Sequence, residues 1–532
     1  MHSQRSSIPI EQASQTLISG QQDAWKIQPH FLALSITFLL FLSFSLALTN
    51  GVFIYSLDDP YIHLALAENI TQGHYGINTS EMAAPSSSIL WPFLLAFFSA
   101  FELIPLLLNM GLTFINLSII TELLRSTQPA LLVSNNKLNT TAFILLVSFN
   151  GIGLPFTGME HVLHTTLTLV IIFGMHQLSD GKKVASWLWL AIILNPLVRY
   201  EGLAMSGLAL LYIMYFGGTI RAMFAGLTIV SIMGAFSGFL YSNDLGMLPS
   251  SVIAKSQASS TFQEVHSHFD VLIGNLTHAG GILCLFLVIL NTLALRKQKI
   301  TRSSLVHWCI VAAAFTHFIV GRFGWYGRYE IYICLPLAVS FIQLNREWFQ
   351  SLLESPLNKQ KMGFLILFIL LTAQYALTTL TTPHASKSIY SQQYQMHRFL
   401  TEFWNQPAAI NDLGWAAYHN DQYILDIWGL GSMEALRLQQ TNPESWLANL
   451  VEGKNVDLAI IYKQAFAESI PASWQELATL TITGISITPA YREVNFFLIN
   501  ANQRDSVLAA LNEFGETIPE GVELVLTNTH TN

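Results

Sequence analysis

Asp58 and Asp59 stand side by side before Pro60, in the stretch Ser56-Leu-Asp-Asp-Pro-Tyr-Ile-His-Leu-Ala-Leu-Ala-Glu-Asn-Ile70. Adjacent carboxylates raise one another's pKa or share a cation, and either outcome prepares a base or a metal ligand. Pro60 suits the first turn of a helix, because the N–H it lacks would be unpaired there anyway. Asp59 then falls at the N-cap, and capping alone accounts for it. Asp58 has no evident cap role. Leu64, Ala67 and Ile70 form an apolar stripe, as in a short helix lying on a membrane surface. The pair permits a divalent cation with Asp59 as a ligand, but no further carboxylate sits at a spacing that demands one.

Other ionisable groups come in small sets. Glu81 follows a polar loop. Glu160 and His164 are four apart on one helix face, with His161 beside them, and a simple pair would explain them. Arg199-Tyr-Glu201 sits between two apolar runs with almost no loop, the place for an interfacial ion pair. Lys255 follows the turn Pro249-Ser-Ser, and Asp244 lies upstream of it. Arg322-Phe-Gly-Trp-Tyr-Gly-Arg328-Tyr-Glu330 interleaves two guanidinium groups with aromatic residues and glycine. Arginine forks match phosphate oxygens, and lysine adds a compact point charge. Anionic lipid headgroups would satisfy these three cations; a specific lipid-linked phosphate is the sharper alternative.

The elements that must position these groups are membrane spans. The chain of 532 residues is 52% hydrophobic and only 11% charged, against roughly 25% charged in soluble domains. Apolar runs of spanning length lie near 31–50, 104–124, 139–156, 160–178, 184–198, 201–217, 219–240, 270–295, 304–321, 327–344 and 362–381. The first has no cleavage site soon after it and reads as an uncleaved anchor. The segment 89–101 is short, contains Pro92, and reads as re-entrant or interfacial, with a full span as the alternative. With eleven spans and the N-terminal segment 1–30 inside, the clusters Arg125/Lys137, Lys182/Lys183, Arg221, Arg296/Lys297/Lys299 and Arg346/Lys359/Lys361 all fall inside. A twelfth span would scatter them. Eleven is therefore the expected count.

That topology places a transmembrane domain over 31–383, with its first outer loop at 51–103, and the tail 384–532 outside, in the periplasm or its equivalent, at an inner membrane. The tail carries 16 acidic and 7 basic residues. Its short apolar runs, such as 422–428 and 456–462, alternate with helix-like stretches at 432–440 and 443–451, which predicts a soluble α/β domain. The fold class expected is a polytopic α-helical membrane protein with a C-terminal α/β domain. Cys284, Cys309 and Cys334 lie in apolar runs and read as packing. Nothing suggests a nucleic-acid surface. All the ionisable sets named above fall at the outer interface, where such groups face a cavity or one another.

With these residues in view, the sequence resembles the GT-C superfamily of membrane glycosyltransferases, which use polyprenyl-phosphate sugars. The Asp58-Asp59 loop resembles its acidic first-loop motif. Gly73-His-Tyr-Gly-Ile-Asn-Thr-Ser-Glu81 and Ala84-Pro-Ser-Ser-Ser-Ile-Leu-Trp91 are similar to the branch of mycobacterial terminal arabinofuranosyltransferases. So are Thr157-Gly-Met-Glu160, Arg199-Tyr-Glu-Gly202, Leu248-Pro-Ser-Ser-Val-Ile-Ala-Lys255 and Trp325-Tyr-Gly-Arg-Tyr329. In the tail, Asn411-Asp-Leu-Gly414 and Leu425-Asp-Ile-Trp-Gly-Leu430 resemble that branch's outer domain. Tyr200 stands where the branch often has proline, which leaves the donor sugar open, and no motif carries the acceptor.

The resemblance implies single-sugar transfer from a polyprenyl-phosphate donor to an envelope glycan, lipid or protein. The departing phosphate needs no proton, so one base on the acceptor hydroxyl suffices. Asp58 is then the base and Asp59 its partner or a metal ligand. Lys255, Arg322 and Arg328 hold the donor phosphate. Glu160, His161, Arg199, Glu201 and Glu81 line the sugar or acceptor cavity. Attack opposite the phosphate predicts inversion. A secondary transporter would instead show paired halves and a site near the midplane, and no internal duplication is visible. A non-catalytic envelope scaffold is the third reading.

Overall fold

A computed structural model describes residues 28–126, 134–216, 218–257 and 268–527. The first described helix is α1 (Pro29–Leu48), followed by two short helices, α2 (Asp59–Thr71) and α3 (Leu90–Phe97). Next come α4 (Ile104–Ser126), α5 (Asn135–Ser148), α6 (His161–Ser179), α7 (Ser186–Val198), α8 (Gly202–Tyr215) and α9 (Thr219–Ser242). α10 (Ser250–Gln257) and α11 (His268–Thr277) precede α12 (Ala279–Leu295), α13 (Arg302–Val320), α14 (Ile331–Leu344) and α15 (Arg346–Glu354). The long α16 (Lys359–Ser391) and short α17 (Gln393–Arg398) lead into the tail.

Six helical stretches among the described residues are long and apolar enough to cross a membrane: α1, α4, α6, α9, α13 and the stretch Lys359–Trp404 that α16 begins. α7, α8, α12 and α14 are apolar but shorter. Helices such as α9 leave Ile220, Phe224 and Val230 exposed, the face that hydrocarbon rather than water would cover. The chain is a helical membrane protein with a C-terminal α/β domain.

Every apolar run of the sequence lies on a helix, but two runs are interrupted. The run over 270–295 breaks at His278, whose Nδ1 accepts from the Gly280 N–H at 3.1 Å and caps α12. In the run over 139–156, α5 ends at Ser148 and Asn150 takes φ 58°, so a lone 3-10 turn, Leu154–Thr157, follows. α3 is about 12 Å long, too short to cross a hydrocarbon core of about 30 Å. α2 is not the half-exposed surface helix that its apolar stripe implies. Pro60 through Ala67 are all buried, because this stretch is apolar nearly all round, and such a helix needs protein on every side.

The tail holds β1 (Ala408–Ile410), α18 (Leu413–Ala417), β2 (Ile424–Asp426), α19 (Met433–Thr441), α20 (Trp446–Val451), β3 (Leu458–Ile461), α21 (Lys463–Phe466), β4 (Gln475–Ile482), β5 (Glu493–Leu498), α22 (Arg504–Gly515) and β6 (Val522–Leu526). They form one sheet in the order β2-β1-β3-β5-β4-β6. β1 runs parallel to β2 and β3, while β5 and β4 continue antiparallel. Ala409, Leu425, Ala459 and Ile461 pack with Trp446 and Leu447 on one face. Ile410, Ile460 and Phe496 share the other with Phe399 and Phe514. Both faces are covered, which is why β3 reads as a short unbroken apolar run.

The edge strand β2 is closed by the first loop. The Asn78 side-chain amide donates to the Ile424 carbonyl at 2.9 Å and accepts from the Ile424 N–H at 2.8 Å. An edge strand's free backbone groups are thus paired rather than left open.

Candidate functional site

Pro60 stands at the second position of α2, as its fixed φ allows. The capping assignment is the part that changes. Asp59 is the first helical residue, and Asp58, which precedes it, makes no side-chain cap to α2. Asp58 caps a helix of the tail instead. Its Oδ2 accepts from the Gly414 N–H at 2.8 Å and its Oδ1 from the Trp415 N–H at 2.9 Å. A Cβ on Gly414 would collide with the Asp58 carbonyl and carboxylate, so only glycine permits the approach. Tyr61 packs on the Trp415 ring at 4.0 Å and on Tyr418 at 5.7 Å, fixing the seam from below.

Burial pushes the Asp58 carboxyl well above the usual carboxylate range, and the nearby Asp412 carboxylate adds to the rise, against the two N–H donors. Asp412 is raised by burial as well. Its Oδ2 accepts from Tyr462 Oη at 2.5 Å and from Gln393 Nε2 at 2.7 Å.

Asp59 turns to the other side, where Arg328 Nη2 donates to its Oδ2 at 2.5 Å. The loop before Arg328 makes this possible, because Gly324, Trp325, Tyr326 and Gly327 all take positive φ. Glu330 anchors the loop by accepting from the Gly324 N–H at 3.0 Å and from Tyr375 Oη at 2.9 Å. Arg328 is 1% exposed. Its Nε and Nη1 have no hydrogen-bond partner among the described residues. Buried donors of this kind are costly to leave unpaired.

The Tyr329 ring lies between two guanidinium groups, 5.1 Å from Arg328 and 5.4 Å from Arg199. Arg199 grips Glu201 through both oxygens, at 2.8 and 3.2 Å, and donates to Glu160 at 3.0 Å and Ser87 at 3.1 Å. His63 Nε2 lies 3.8 Å from Glu160. Arg199 thus sits between two carboxylates, and breaking a buried pair of this kind by removing one partner is costly.

The candidates thus divide. Asp58 faces the tail, while Asp59, Arg328, Arg199, Glu160 and Glu201 form one chain linked through the Tyr329 ring. His161 joins it against the Tyr329 ring at 5.4 Å. Arg322 is half-buried within electrostatic reach of Tyr329 and Glu201. His164 does not pair with Glu160 as its spacing suggests but stacks on Tyr332 at 4.0 Å, because Arg199 takes the carboxylate. Glu81 makes its contacts elsewhere, accepting from Asn78 at 3.1 Å and from Tyr423 Oη at 3.2 Å. The side chain of Lys255, on α10, lies outside the described residues. Asp412, Gly414, His63, Ser87 and Tyr329 were not singled out by sequence, although all five lie inside stretches quoted above.

These residues do not fit a divalent cation. Both Asp58 oxygens face N–H donors, Asp59 faces a guanidinium, and no metal-holding group of three His, Cys, Asp or Glu side chains occurs among the described residues.

Residues 386–497 match a family described as Domain of unknown function (DUF8728). No curated protein matches the chain in sequence. Among solved structures, the chain is similar to ArnT from Cupriavidus metallidurans bound to undecaprenyl phosphate, at 11% identity and a TM-score of 0.49, covering 89% of this chain and 98% of that one. It is also similar to the Archaeoglobus fulgidus oligosaccharyltransferase in the apo form, at 12% identity and a TM-score of 0.47, covering 87% and 74%. Arabinofuranosyltransferase AftD from Mycobacteria matches at 11% identity and a TM-score of 0.43, over 88% of this chain and 41% of that one.

Proposed function

We propose that this chain is a membrane glycosyltransferase that moves one sugar from a polyprenyl-phosphate donor to an acceptor hydroxyl, with inversion. The observation that carries the reading is the pairing of Asp59 with a buried Arg328 whose Nε and Nη1 donors have no described partner, one residue along from a carboxyl of raised pKa. Asp58 takes the proton from the acceptor hydroxyl. That oxygen bonds to the anomeric carbon, and the bond from that carbon to the phosphate oxygen breaks. The electron pair leaves with polyprenyl phosphate. A base of this kind is worth roughly 10²–10⁴ in rate. Arg328, with Arg322 and Lys255, stabilises the charge that grows on the leaving phosphate, as preformed donors do at a dry site.

Asp59 orients Arg328 rather than acting on the substrate. Glu160, His161, Arg199 and Glu201 hold the wall on which the sugar rests. The clustering of basic residues on one set of loops supports eleven spans with the site and tail outside an inner membrane. The test is binding of undecaprenyl phosphate to the purified full chain. Arg328→Lys should weaken it at least about tenfold, and unchanged affinity would remove Arg328 from the donor site.

A further inference from the structure

A second cavity, of about 430 Å³, lies along the seam between the first loop and the tail. Its size falls in the range of small-molecule sites, about 300–1,000 Å³. One wall is the end of α2 and the loop after it; the other is the turn between α18 and β2. The frame is rigid. Asn78 clamps Ile424, Asn69 Nδ2 donates to the Gly76 and Ile77 carbonyls at 2.8 and 2.7 Å, and His419 pairs with Glu68 at 2.6 Å. By contrast the lining side chains of Gln72, Thr79, Ser80 and Asp421 make no hydrogen bond within the protein among the described residues. No lysine or arginine lines the cavity, and its His419 is already engaged by Glu68, so an anionic ligand finds no guanidinium or ammonium to hold it.

We infer that this cavity is an acceptor subsite for a neutral saccharide chain, resting on the glycosyltransferase reading above. Free hydroxyl, amide and carboxylate groups match a ligand rich in hydroxyls, and Tyr423 adds an aromatic wall. The place fits as well. α2 begins at the Asp58–Asp59 pair and reaches the cavity at Glu68, about 14 Å further on. α18 likewise begins on Asp58 and ends at the cavity with Ala417. Sugars preceding the reacting one would lie here while the terminal hydroxyl reaches Asp58.

The test is saturation-transfer NMR on the full chain in nanodiscs, with neutral trisaccharides of gluco, manno and arabino configuration. At least one should bind, Thr79→Trp and Asp421→Ala should each weaken it about tenfold or more, and Gly484→Ala, where a Cβ meets nothing within 4 Å, should leave it intact. No binding by any of the three, or binding untouched by both cavity variants, overturns the subsite. Sugar transfer followed in parallel separates the two claims: binding without transfer would refute the enzyme, and transfer without binding would refute only the subsite.

Discussion

The Asp59 carboxylate accepts a hydrogen bond from Arg328 Nη2 at 2.5 Å, across 269 residues of sequence. This contact ties the first acidic loop to the loop before α14, so Asp59 and Arg328 stand side by side. Asp58, one residue earlier, faces the opposite way and is held by backbone N–H groups of the tail. The tail therefore completes the candidate site rather than merely covering it.

Replacing Gly414 should be far more costly than its size suggests. Gly414→Ala places a methyl group against Asp58, and overpacking of this kind costs about 1–3 kcal/mol. Thermal unfolding should shift down and transfer should be lost. Gly484→Ala, where a Cβ meets nothing within 4 Å, should do neither.

The pH profile should report the Asp412 carboxylate. Asp58 must be ionised to act as a base, so activity falls as pH drops through its raised pKa. Asp412 contributes to that rise, after burial itself. Asp412→Asn removes the neighbouring charge and should move the acid limb of kcat/KM to lower pH. A limb that stays in place would mean that the two carboxyls do not interact.

Arg199→Ala would strand two buried carboxylates. Breaking a buried pair by removing one partner costs about 3–5 kcal/mol, and here Glu160 and Glu201 both lose their cation. Unfolding in detergent should occur at markedly lower temperature, and adding Glu160→Gln and Glu201→Gln should restore part of the loss. Restoration by neither change would place the role of Arg199 outside this ion cluster.

Asn78→Ala tests how the tail is docked. Both bonds to Ile424 would go, leaving buried backbone groups unpaired at about 1–3 kcal/mol. Limited proteolysis should then cut the tail faster, with the membrane-embedded helices unaffected; an unchanged digest would show that Asn78 contributes nothing to docking.

Much of the fold is legible in the sequence because bilayer spans announce themselves by length. Apart from α2, α10 and α15, the helices from α1 to α16 lie where the apolar stretches fall, and β2 and β3 lie inside the short runs of the tail. β1 is too short to show a pattern, and β4 to β6 alternate weakly with polar residues between. The α2 stripe misleads because Tyr61, Ile62 and Leu66 are apolar too, and only the tertiary structure shows what covers them. Asp58 looks uncommitted in sequence because its partners are backbone N–H groups 356 and 357 residues away. Backbone groups leave no signature in residue type. Glu160 was legible as a paired carboxylate, but its partner lies 39 residues on rather than four.

Transfer of sugar from a polyprenyl-phosphate donor by the purified full chain and by Asp58→Asn bears most directly on the proposed chemistry. The new amide also sets a donor against one of the two tail N–H groups, so thermal unfolding is read alongside. With Asp58 as base, turnover per folded molecule should fall by roughly 10²–10⁴ while affinity for undecaprenyl phosphate is kept. Turnover equal to that of the unaltered chain would contradict it.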